Sequence, residues 1–162
     1  MIEHLVVGHP FLLNLFAGKI PEKLPSTFKL LKYLELSDLP LKYKEVAMFA
    51  ICLIRSCPNL KKLRIKGCRG CDVNLTSPES LVKAQEPWED SLNQLQEVRM
   101  EVFCGTWPEL EFLKCLLAKS LVLEKIIIQT EVEIGLKILR DVLRLRRASP
   151  RTEILFLDPE ED

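Results

Sequence analysis

Residues 31–36 read Leu-Lys-Tyr-Leu-Glu-Leu, residues 60–65 read Leu-Lys-Lys-Leu-Arg-Ile, and residues 95–100 read Leu-Gln-Glu-Val-Arg-Met. Each is the same phrase: apolar, two variable, apolar, one variable, apolar. The phrase also runs as Ile2-x-x-Leu5-x-Val7, Leu123-x-x-Ile126-x-Ile128 and Thr152-x-x-Leu155-x-Leu157, where threonine takes the opening place. Successive starts lie 29, 29, 35, 28 and 29 residues apart. The last three positions of each phrase alternate as a half-buried strand does.

A unit of this length and leucine spacing is the strand segment of a leucine-rich repeat. The chain is rich enough in the residue, with 30 Leu in 162. Helical patterns fill the intervals. Tyr43 to Cys57 carries apolar residues at 46, 49, 50, 53, 54 and 57 and stops at Pro58. Thr106-x-x-Glu109 has capping-box spacing with Pro108 in the first turn, which predicts a helix to about Ser120. Glu131 to Arg147 opens on acids and closes on arginines, the order that a helix dipole favours. Strand and helix alternating in this way predict an α/β fold. It would be a leucine-rich-repeat-like right-handed solenoid, with one parallel sheet and helices on the convex side.

Two stretches break the rhythm. Residues 8–30 carry Pro10, Pro21 and Pro25 and read as an irregular connection. Residues 67–91, with Gly67, Gly70, Pro78 and Pro87, read as a loop or linker between a repeat segment at 1–66 and a second unit at 92–158. Residues 159–162 are an acidic tail. The first phrase, Ile2 to Val7, is apolar with no strand ahead of it, so an exposed edge and self-association are expected.

Composition narrows the function. Hydrophobic residues make up 48% and charged residues 28%, enough for a sizeable core. Lys plus Arg equals Asp plus Glu at 23 each, so the chain is not built to coat nucleic acid or an anionic membrane. The longest uncharged apolar run, Val46 to Ile54, is far below the ~20 residues of a membrane span. Residues 1–81 carry a net +5 and residues 82–162 a net −5. Cys52, Cys57 and Cys115 fall within apolar helical patterns and read as buried thiols, which points to cytoplasm or nucleus.

Motifs for chemistry are absent or bland. Cys68-Arg69-Gly70-Cys71 has no second pair to complete a zinc site and no helix after it to activate a thiol. His4 and His9 lack a nucleophile pattern, and no phosphate or dinucleotide loop occurs. Arg140, Arg144, Arg146, Arg147 and Arg151 read as a charged helix end rather than a phosphate site. No cofactor and no catalysis are expected.

Two stretches carry a family resemblance. Glu97, then Thr106-Trp107-Pro108-Glu109-Leu110-Glu111-Phe112-Leu113-Lys114, resembles the opening of the FBD domain, and Leu143 to Ile154 resembles its close. Gly18-x-Ile20-Pro21-Glu22-Lys23-Leu24-Pro25 and Leu53 to Leu60 resemble the repeats that precede it. Together they resemble the C-terminal region of plant F-box/FBD/leucine-rich-repeat proteins, without the F-box. The resemblance implies that 92–158 is an FBD domain and that the chain is a non-catalytic recognition module for protein targets in a ubiquitin ligase. Contact with the Skp and cullin scaffold would require an F-box upstream. The alternatives are an interaction protein that recruits no ligase, a thiol or metal protein using Cys68 and Cys71, and a receptor for an acidic ligand.

The strand register names the candidate surface. Side chains pointing away from the core should form rows across the sheet. The first row is His4, Tyr33, Lys62, Glu97, Lys125 and Ile154. The second is Val6, Glu35, Arg64, Arg99, Ile127 and Phe156. The third is Ser37, Lys66, Glu101, Gln129 and Asp158. Tyr33, Glu35, Lys62, Arg64, Lys66, Glu97, Arg99, Glu101, Lys125, Ile127 and Phe156 are the expected partner-binding residues. Arg64 beside Arg99 favours an acidic ligand unless Glu35 neutralises the pair.

Overall fold

The leucine phrase makes a strand at each of its six occurrences. In the computed structural model, which describes residues 4–7, 30–37, 44–67, 92–131 and 135–158, these are β1 (His4–Val7), β2 (Tyr33–Leu36), β3 (Lys62–Lys66), β4 (Glu97–Phe103), β5 (Lys125–Thr130) and β6 (Glu153–Leu157). Helix α1 (Lys44–Arg55) lies between β2 and β3, α2 (Trp107–Lys119) between β4 and β5, and α3 (Leu136–Leu143) between β5 and β6. The strands form one sheet in chain order, and every neighbouring pair is parallel. The chain is therefore α/β with a single parallel sheet.

Alternation sorts the side chains. Leu34, Leu63, Val98 and Ile126 align in one row and Leu36, Ile65, Met100 and Ile128 in the next, all at most 2% exposed. Burying one such side chain is worth ~1.5–3 kcal/mol. The same core takes in Ala47, Ala50, Ile51 and Ile54 of α1, Phe112, Leu113, Leu116 and Leu117 of α2, and Val142 of α3. The helices thus cover one face of the sheet; among the described residues no helix covers the other, the open face.

Local chemistry fixes the joints. Thr106 caps α2, and the capping box with Glu109 forms as its spacing predicts. Gly105 (φ 77°) turns the chain into that cap, and a Cβ there would lie 2.8 Å from Ile138 Cδ1 of α3. Ser149 Oγ and Thr152 Oγ1 donate to the Leu123 carbonyl at 2.8 and 2.9 Å. The threonine that replaces leucine in the last phrase therefore anchors β6 to the preceding repeat.

Three expectations need correction. The last helix is shorter than the predicted 131–147: it spans Leu136–Leu143 with Gly135 as N-cap. Arg147 lies beyond it, where Nη1 donates to the Thr152 carbonyl at 2.9 Å. Strand β6 is shifted by one residue from the expected register. Glu153, not Ile154, stands opposite Lys125, and Phe156 stands opposite Ile128 on the core side. The run Ile154-Leu155-Phe156-Leu157 is apolar at every position, so alternation could not choose between its faces.

The third correction is a β-bulge. From Met100 to Phe103 strand β4 advances by three residues while β5 advances by two, Ile128 to Thr130. Val102 is the extra residue, with φ 61°. A β-branched side chain in the left-handed region costs about 1–3 kcal/mol. The return is geometric: Phe103 reaches the core and is fully buried, and Glu101 stays on the open face.

Apart from Leu30 and Gly67, the connection expected over 8–30 and the loop over 67–91, with Cys68, Cys71 and Trp88, lie outside the described residues. So do His9 and the tail at 159–162. Among the described residues no helix is long and apolar enough to cross a membrane.

Candidate functional site

Parallel pairing brings the predicted rows together on the open face. Tyr33, Lys62, Glu97 and Lys125 are aligned across β2 to β5, and Glu35, Arg64, Arg99 and Ile127 form the next row. Lys66 stands opposite Glu101. At the β1 edge the His4 ring packs on Tyr33, with centroids 4.1 Å apart and planes tilted by 43°. Phe156 is the one predicted site residue that changes face, because the β6 register turns it inward, while Ile127 keeps its face but is only 9% exposed. Leu155, opposite Ile127, takes its place, and Glu153 ends the first row.

The charges are organised around one carboxylate. Glu101 is only 6% exposed, yet it belongs to the open face. Its Oε1 accepts from Arg64 Nε at 2.7 Å and Nη2 at 2.6 Å, and from Arg99 Nε at 2.9 Å. Glu35 lies 3.6 Å from Arg64 Nε, and Lys62 lies 3.9 Å from Glu97. Burial pulls the Arg64 guanidinium down, but Glu101, with Glu35 and Tyr33 adding, holds it above its ordinary value. The like-charge pair foreseen at Arg64 and Arg99 is bridged, and the bridging residue is Glu101 rather than Glu35 alone. Alternation of Glu97, Arg99 and Glu101 places all three on this face, but residue type gave no sign of which charges pair there.

A second polar cluster sits where β4 turns into α2. Glu109 is buried; its Oε1 accepts from the Thr106 hydroxyl at 2.7 Å and the Thr106 amide at 3.0 Å. The Cys104 amide donates to both carboxylate oxygens at 3.3 Å. Burial pushes the Glu109 carboxyl above its ordinary value; these donors act against that, and the charge of Glu131 adds to it. Every hydrogen bond here is used in closing the turn, so the cluster is structural. Cys104 itself is disulfide-bonded. Cys57 keeps a buried thiol, donating to the Leu53 carbonyl at 3.3 Å. Burial pushes that thiol up to about 12, which makes it inert at neutral pH.

Taken together, these features define a parallel-sheet α/β protein with one helix-covered face and one open face of mixed charge. Over 160 residues, 97% of its length, the chain is 28% identical to the F-box/FBD/LRR-repeat protein At1g13570 of Arabidopsis thaliana. It spans 38% of the length of that relative. The likeness supports a relation to that plant family. No family model matches the chain, and no solved structure matches it.

Proposed function

We propose that the chain is a protein-recognition module that acts without catalysis, and that the open sheet face is where it meets its partner. The observation that carries this reading is the alignment of charged, mostly half-buried side chains across consecutive parallel strands, on the face opposite the one that the described helices cover. Strands stacked in chain order with a helix between most of them suit a repeat solenoid, with helices on the convex side and a concave sheet presented to a ligand. Such a surface is rigid before binding, which lowers the entropy lost on association. The likeness to a protein named for an F-box, an FBD domain and leucine-rich repeats supports target selection for a ubiquitin ligase as the setting.

The test is a pull-down with the immobilised chain. A partner should be retained by the parent and by Arg144→Gln, at the exposed C-cap of α3, and lost from Tyr33→Ala combined with Leu155→Asp. Retention by the face variant, if it melts as the parent does, would overturn the reading. Recovery of a Skp-type subunit with the partner separates ligase recruitment from binding alone.

A further inference from the structure

Arg99 shares its carboxylate with a better-paired arginine. Among the described residues Arg64 has two carboxylates within reach, Glu101 and Glu35, whereas Arg99 has a share of Glu101. Both guanidiniums converge on the same oxygen, Oε1. No hydrogen bond from the terminal nitrogens of Arg99 to a described residue is present, and its side chain is 40% exposed. Across the surrounding rows, Lys62, Arg64, Lys66, Arg99 and Lys125 outnumber Glu35, Glu97, Glu101 and Glu153. The local surface is therefore positive although the whole chain is neutral.

The neighbour of Arg99 on β5 is Ile127, 9% exposed, followed by the half-buried Leu155 on β6. A guanidinium fork thus borders a small apolar strip. That pairing fits a carboxylate with an apolar side chain beside it on the same extended segment. The bulge adds an independent pointer. A strained, β-branched residue adjoins the central ion cluster, and bulges that re-aim side chains are concentrated beside functional sites.

We propose that the partner presents an acidic protein segment, docking one carboxylate on Arg99 and one apolar side chain on Leu155, one strand beyond the buried Ile127. This rests on the open face being the recognition surface. Glu101 then acts as an internal competitor, holding the arginines in place and setting the affinity.

The experiment pans a phage-displayed library of random dodecapeptides on the full 162-residue chain, then measures the selected synthetic peptides by fluorescence anisotropy. Selected sequences should be enriched in Asp or Glu next to apolar residues. Arg99→Gln should weaken them about fivefold, as for a part-exposed ion pair. Glu101→Gln should tighten them by a similar factor, a gain that loss of folding cannot imitate, and Arg144→Gln should leave them unchanged. Peptides without acidic bias that still fail on Leu155→Asp would overturn the acidic specificity while the face stands. Peptides indifferent to both Arg99→Gln and Leu155→Asp would overturn the face as well. Recovery of no binder, or displacement by an equal concentration of a single-stranded DNA dodecamer, would also refute the proposal.

Discussion

Glu109→Ala offers a stability test whose size follows from the geometry. The substitution leaves the Thr106 and Cys104 amides without their acceptor and removes half of the capping box on α2. A buried unsatisfied amide costs about 1–3 kcal/mol, and loss of a cap about 1 kcal/mol. The expected loss is ~3 kcal/mol, or about 6–12 °C in Tm for a chain of this size. Glu109→Gln keeps an acceptor oxygen and should cost less than half as much. The two variants differ further with pH. The folded-state pKa of Glu109 is raised, so the native state holds its proton to higher pH than the unfolded chain does. Its contribution to stability is complete below the ordinary carboxyl value and is lost as pH rises through the folded value. Glutamine cannot titrate. The parent should therefore lose stability relative to Glu109→Gln as pH rises above about 4.5, the other carboxylates cancelling in the comparison. Urea unfolding followed by circular dichroism between pH 4.5 and 7.5 measures this directly. An alanine variant within about 1 kcal/mol of the parent, or a parent that gains on the glutamine variant with rising pH, would refute the reasoning.

Three further outcomes are expected. Val102→Gly should change stability by less than about 1 kcal/mol, because relief of the left-handed strain offsets lost burial, whereas Val98→Gly in the same strand should cost about 3 kcal/mol; equal losses in chemical unfolding would remove the bulge. Phe156→Ala should destabilise by ~2 kcal/mol and Leu155→Ala by less than ~1 kcal/mol, since only Phe156 packs against the core; the reverse order would restore the register expected from the phrase. Cys57 should resist an aromatic disulfide reagent at pH 8 until the chain unfolds, and its contribution to stability should fade only between the ordinary thiol value of 9.0 and about 12; prompt reaction in the native state would contradict its burial.

What could be read from sequence was whatever a single strand decides for itself. In β2, β3 and the first half of β4 polar residues alternate with the core residues, so face and register followed from the phrase, and in β5 Lys125 and Gln129 mark the open face on either side of three isoleucines. In β6 four successive apolar residues left the register to Ser149 and Thr152, whose bonds to Leu123 come from tertiary placement. Helix α2 was legible because Thr106 and Glu109 are local to each other. Helix α3 was overextended because its flanking charges suit a dipole equally well outside the helix. The residues of the open face were named from register, apart from the exchange of Phe156 for Leu155. Their pairing was not legible, since Glu101 reaches Arg64 across 37 residues and the choice among neighbouring carboxylates is made by side-chain placement, not by strand register.

The account stands on which side of the sheet meets the partner. A benzophenone amino acid placed at Lys125 on the open face, and in a separate variant at exposed Lys114 on α2, reads this out with one selected peptide under ultraviolet light. A covalent adduct at position 125 and none at position 114 is the predicted result. Adduct formation at 114 with none at 125 would contradict it.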